Sequence, residues 1–91
     1  MKWERTEAPE APGWCLKEDT TGISVWDTGT GEWKAEVTDT VVSPGGFVVI
    51  TGQATASQPR PALAWLVATI ANKVPSRVRD VVQESLRVFP G

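Results

Sequence analysis

The hydrophobic period of this chain changes once, and that change limits what it can fold into. From Trp14 to Ala56 apolar residues recur at every second position; from Pro61 to Phe89 they recur about every 3.6, with the break at Gln58-Pro59-Arg60-Pro61. A strand alternates its side chains between two faces, whereas a helix returns to one face every three or four residues. With 91 residues in all, both parts must share one core. The expected class is α+β: a four-stranded antiparallel meander sheet followed by two C-terminal helices packed on one face. Residues 1–13, with three Glu and two Pro, read as a flexible N-terminal arm preceding a single domain over 14–91, with the sheet in 14–57 and the helical hairpin in 61–89. Within the arm, Trp3 is expected to fold back, because an exposed indole forgoes its burial energy.

Turn chemistry suggests the strand registers. Asp19-Thr20-Thr21-Gly22 fits a type I turn closed by a left-handed glycine, which sets Leu16 opposite Trp26. A turn over Thr28–Gly31 then sets Trp26 opposite Trp33 and Ser24 opposite Ala35. On this reading Trp14, Leu16, Trp26, Trp33, Ala35 and Val37 face the helices. Cys15, Lys17, Asp19, Ile23, Val25, Asp27, Lys34 and Glu36 fall on the outer face. Ser43-Pro44-Gly45-Gly46 suits a type II turn for a further hairpin over 41–56.

Beyond the break, Leu63, Leu66, Val67, Ile70 and Val74 form one helical stripe, and Val78, Val81, Val82, Leu86 and Phe89 form a second. Val74-Pro75 stops the first helix, and Ser76 is expected to cap the second.

Composition removes several kinds of chemistry. The chain has no histidine and one cysteine, Cys15, so it lacks the commonest general base, a thiolate metal site and an internal disulfide. Glu18, Asp19, Asp27, Glu32, Glu36 and Asp39 are scattered over strands and turns and read as solvated charges. The glycines of TGTGEW open no helix and precede no Lys-Ser/Thr, so they are not a phosphate loop. No catalytic group, cofactor or metal is expected. A net charge of −2 without a basic run disfavours nucleic acid, and the longest apolar stretch, PALAWLVATIA, is too short to span a membrane. MKWERTEAPEAPGW has no apolar signal segment, so a cytoplasmic protein is expected; its small size would suit a phage or mobile element.

Two resemblances are partial. APGWCLKEDTTGISVWDTGTGEWKAEV resembles a WW domain in its Pro-Gly-Trp start and in Trp33 as a second tryptophan. It departs in the spacing of those tryptophans, the lack of paired aromatics in ISVWD, and the lack of a proline after Trp33. The segments FVVITGQ and ALAWLVATIANKVPSRVRDVVQESLRVF are similar to the strand–helix–helix of ribbon-helix-helix repressors. That resemblance implies a dimer that reads DNA bases through Thr51 and Gln53, with Ser76 at a phosphate. The strand is otherwise apolar, the link TASQPRP is long, and Val74-Pro75 stands in place of the family's glycine.

The expected function is that of a small non-enzymatic accessory protein acting by binding another protein or itself. Its expected surface is the outer sheet face at Ile23, Val25, Lys34, Glu36, Phe47 and Val49, an apolar strip with a charged rim. The alternative is a DNA-binding transcriptional regulator with a ribbon-helix-helix-like C-terminal half, using Arg60, Lys73, Ser76, Arg77 and Arg79.

Overall fold

The computed structural model describes residues 1–6 and 12–91. Its elements are β1 (Glu4–Thr6), β2 (Gly13–Glu18), β3 (Thr21–Asp27), β4 (Trp33–Ser43), β5 (Gly46–Ala56), α1 (Pro59–Ile70) and α2 (Ser76–Arg87). The strands form one antiparallel sheet in sequence order, β1-β2-β3-β4-β5, so the meander has five strands rather than four. The extra strand comes from the expected arm: Glu4, Arg5 and Thr6 pair with Cys15, Trp14 and Gly13. The rest of the arm, 7–11, lies outside the described residues.

Trp3 does fold back. It is buried, donates from Nε1 to the Ser85 carbonyl at 2.8 Å and meets Phe89 edge-on with ring centroids 5.0 Å apart. Trp14 completes this end of the core, with its centroid 5.1 Å from Phe89 and 5.7 Å from Trp33.

The register of β3 differs from expectation on both sides. The β2–β3 turn holds only Asp19 and Thr20, with Asp19 itself left-handed at φ 54°, so Gly22 is a strand residue and Leu16 faces Ile23. The next loop is longer than expected. Thr28–Glu32 is held by bonds from the Thr28 N–H and hydroxyl to the Glu32 carbonyl, and Gly29 and Gly31 both take φ 85°; Asp27 therefore faces Trp33. Each slip is by an odd number of residues, and an odd slip turns a strand over. The two slips cancel for β4, which keeps its expected face, but β3 is inverted. Ile23 and Val25 are core residues, 1% and 0% exposed, packed with Leu16, Ala35 and Val37. Trp26 lies on the outer face beside Lys34, whose Nζ is 5.7 Å from the ring centroid.

Both helices cover the inner face, α1 over β4 and β5 and α2 toward β3. Ala62, Leu63, Leu66 and Ile70 of α1 and Val78 and Val82 of α2 are buried. Gly52 permits the close approach of α1, since a Cβ there would lie 2.6 Å from Ile70 Cγ2. Ser76 is the first helical residue and makes no side-chain cap; the Pro75 carbonyl accepts from Val78 and Arg79 instead.

Ile23→Ala should therefore lower stability by about 2–5 kcal/mol, whereas Val49→Ala should change it by less than about 0.5 kcal/mol. Urea melts of dilute protein check the contrast. Equal losses would contradict the inverted face.

Candidate interaction surface

The two-residue turn also decides where the sheet stops being a sheet. Thr21, the first residue of β3, pairs with Asp39 of β4. Past that point β4 and β5 continue with no third strand among the described residues, through Thr40↔Val49, Val41↔Val48, Val42↔Phe47 and Ser43↔Gly46. At roughly 3.4 Å per residue these pairs carry the hairpin about 14 Å past the body, in keeping with molecular extents of 41 × 24 × 24 Å. The turn falls where proline and glycine place it, but Gly46 takes the positive torsion, φ 128°, where a type II turn would require it at Gly45.

The overhang is apolar on both faces. Val42, Phe47 and Val49 are 74%, 76% and 63% exposed on the outer side, and Val48 is 52% exposed on the side that the helices cover further down. From Thr40 to Ile50 there is no charged residue. A two-stranded hairpin alone in water is marginally stable at best, and contiguous exposed apolar surface of this kind marks interaction sites.

Of the residues expected to form an outer-face strip, Ile23 and Val25 are excluded by burial, because the inversion of β3 carries them into the core. Lys34 and Glu36 do lie on the outer face; Lys34 stands over Trp26, and Glu36 accepts a hydrogen bond from Gln53 Nε2 at 3.0 Å. Phe47 and Val49 also lie there, at the far end of the hairpin. The middle of the face, with Ser24, Thr38, Thr51 and Thr55 beside the Glu36–Gln53 pair, is polar, so no continuous apolar strip runs along it.

The cations near the helices are largely committed to the fold. Arg60 donates to the carbonyls of Gly91, Leu86 and Phe89 at 3.1, 3.3 and 2.5 Å, clamping the C-terminal residues after α2. Arg77 Nη2 donates to Asp39 Oδ2 at 2.6 Å, and its Nη1 reaches the hydroxyls of Thr20 and Thr21 at 3.4 Å. Arg79 lies 3.6 Å from Asp80, while Lys73 and Ser76 are exposed around the turn between the helices. Of the residues of the nucleic-acid alternative, Arg60 lies at the opposite end of α1 from Lys73, and the Arg77 guanidinium is turned to Asp39 and the β2–β3 turn.

Asp39 departs from the solvated reading of the carboxylates, being 1% exposed. Burial pushes its carboxyl upward, but the Thr20 hydroxyl at 2.5 Å, the Arg77 guanidinium and the Thr40 N–H outweigh burial and hold it below the ordinary carboxylate range. This network ties the β2–β3 turn, β4 and the start of α2 together where the overhang begins. On the exposed surface Arg87 bonds Glu84 and likewise lowers that carboxyl.

Among the described residues no group of three or more His, Cys, Asp or Glu is placed to hold a metal ion, and no helix is long and apolar enough to cross a membrane. Comparison with family models, with curated proteins and with solved structures gives no match to this chain.

The Asp39 network generates a pH prediction. A carboxyl whose folded pKa is depressed adds stability above its unfolded pKa and loses it as pH falls through the lower, folded one. Stability should therefore fall on acidification below the ordinary carboxylate range, and Asp39→Asn should flatten that decline, leaving only the shares of other carboxylates such as Glu84. At neutral pH Asp39→Asn should cost about 1–3 kcal/mol, a discounted figure because the Arg77 side chain is 48% exposed and screened by water. Denaturant melts from neutral to acid pH measure both effects. An unchanged acid slope would contradict the network.

Proposed function

We propose that this is a small non-enzymatic binding protein that acts through protein–protein contact, with the β4–β5 overhang as its working arm. The observation that carries the reading is the uncharged stretch from Thr40 to Val49, which projects with large apolar side chains exposed on both faces. An arm of this shape fits a partner that encloses it, a groove or a strand edge, better than it fits a flat surface. Phe47, at the tip, is the natural anchor, since large aromatic groups in desolvated pockets dominate interface energies.

A protein partner suits this arm better than a lipid surface. Interfacial lipid binding by a small apolar element draws on flanking Lys and Arg, and the arm carries neither. For duplex DNA, Lys73 and Arg79 are the cations of the proposed set without long-range partners among the described residues, too few to neutralise many phosphates.

Phe47→Asp should abolish capture of the host partner while shifting the melting midpoint little, because the side chain is 76% exposed. The measurements are co-purification and sedimentation, each paired with a thermal melt of dilute protein. Binding unchanged by the substitution would contradict the arm. So would co-sedimentation with neutral phospholipid vesicles in place of any protein.

A further inference from the structure

We infer that the protein associates with a second copy of itself, β5 pairing antiparallel with β5 to extend the sheet across a two-fold axis. The inference rests on the reading of the hairpin as a protein-binding arm and names its occupant.

The two edges of the sheet are unlike. β1 is short, three residues, and carries Glu4 and Arg5, which is how proteins commonly blunt an edge against pairing. β5 has none of these protections. It runs eleven residues, GFVVITGQATA, without a charge or a proline. Its pairing with β4 is unbroken from Gly46 to Ala56, so no bulge turns the edge aside. It pairs with β4 alone, and no other described backbone group bonds to it. Its outward N–H and C=O groups therefore form a long, uncharged template for one more strand.

Self-pairing explains two exposures that the monomer leaves without purpose. The overhang takes the first four of the eleven residues of β5, Gly46–Val49, and α1 covers the end beyond Thr51: Ile70 and Leu66 sit over Gly52, and the helix begins just after Ala56. An antiparallel two-fold centred on Thr51, the middle residue of β5, lays the uncovered end of each strand beside the covered end of the other. Val48 of one copy then comes alongside Ala54 of the other, and both lie on the helix-bearing side, because a two-fold normal to the sheet keeps the helices of both copies on one face.

The second exposure is Trp65, 62% exposed. At about 100° per residue Trp65 lies on the opposite side of α1 from Val67, which packs against the core; Pro61 and Ala64 separate Trp65 from Arg60 across the outer side of the helix, and Arg60 reaches the end of α2. Since α2 lies toward β3, the Trp65 side of α1 faces the free edge of β5. In the pair, Trp65 stands over the Val48 side of the incoming hairpin, so indole, valine and strand edge are covered together. A charge-free strand also lets two chains of net charge −2 meet without like charges along the seam.

Sedimentation velocity of the purified chain, with no other protein present, tests this. The expected result is a particle of twice the 9.8 kDa chain mass. Thr51→Lys places two ammonium groups face to face on the two-fold and should weaken the dimer at least about 100-fold. Trp65→Ser, on a different element, should weaken it at least about tenfold. Both positions are exposed, so dilute-protein melts should stay near wild type and separate lost pairing from lost folding. A wild-type monomer at about 100 µM, a concentration at which even micromolar association would be nearly complete, overturns the inference. So does a dimer indifferent to Thr51→Lys. A monomeric chain whose Phe47→Asp variant still loses a captured partner would leave the arm standing and remove only self-pairing.

Discussion

The tight turn at Asp19-Thr20 is the constraint from which most of this architecture follows. Because it holds two residues, Leu16 faces Ile23, and the branched side chains of β3 enter the core while Trp26 goes outside. Because it ends at Thr20, β3 starts opposite Asp39, and no other described strand flanks β4 and β5 beyond that pair. One short turn thus sets both the composition of the core and the length of the overhang. The cost is an aspartate at φ 54°, a conformation that Asp tolerates better than most residues.

Polar tethers stabilise that junction. Asp39 is buried where the core ends, and its oxygens take the Thr20 hydroxyl from the turn and the Arg77 guanidinium from α2. A buried carboxylate without such partners would be strongly unfavourable; with them it fixes the angle at which the turn, β4 and the second helix meet. Arg60 does the corresponding work at the opposite end, gathering the carbonyls that follow α2 and lying 5.6 Å over the Phe89 ring. Two of the cations read as a cluster from sequence, Arg60 and Arg77, are thus used to fasten the helices.

Much of the fold is legible in the sequence because it depends on local periodicity. The change of period, the two helices and the 43–46 turn all follow from residues close together in the chain, although the first helix ends at Ile70, ahead of the stop expected at Val74-Pro75. The face of β3 is not legible, because it depends on the parity of two turns. Asp19-Thr20-Thr21-Gly22 supports either a closure at Gly22 or a tighter one at Asp19, and Thr28–Glu32 supports more than one length. Alternation along ISVWD is equally good with either face inward, so the choice rests on whether Ile23 and Val25 or Ser24 and Trp26 fill the space beneath the helices. The three-residue β1 is hidden for another reason, since so short a polar strand has no periodicity to detect. Of the expected binding residues, Phe47 and Val49 depend only on the final hairpin and keep their place; Trp65 was hidden inside a helix whose stripe already accounted for its neighbours.

The central claim is that residues 40–49 form an arm outside the folded body that is covered only by a partner. Amide hydrogen exchange along β4 and β5, followed at increasing protein concentration, tests it most directly. In dilute protein the account predicts slow exchange from Ala35 to Asp39 and much faster exchange from Thr40 to Val49, with the boundary at the Asp39 network. Protection of β5 should then rise with concentration as the second copy covers its edge. Uniformly slow exchange along both strands at every concentration would contradict it.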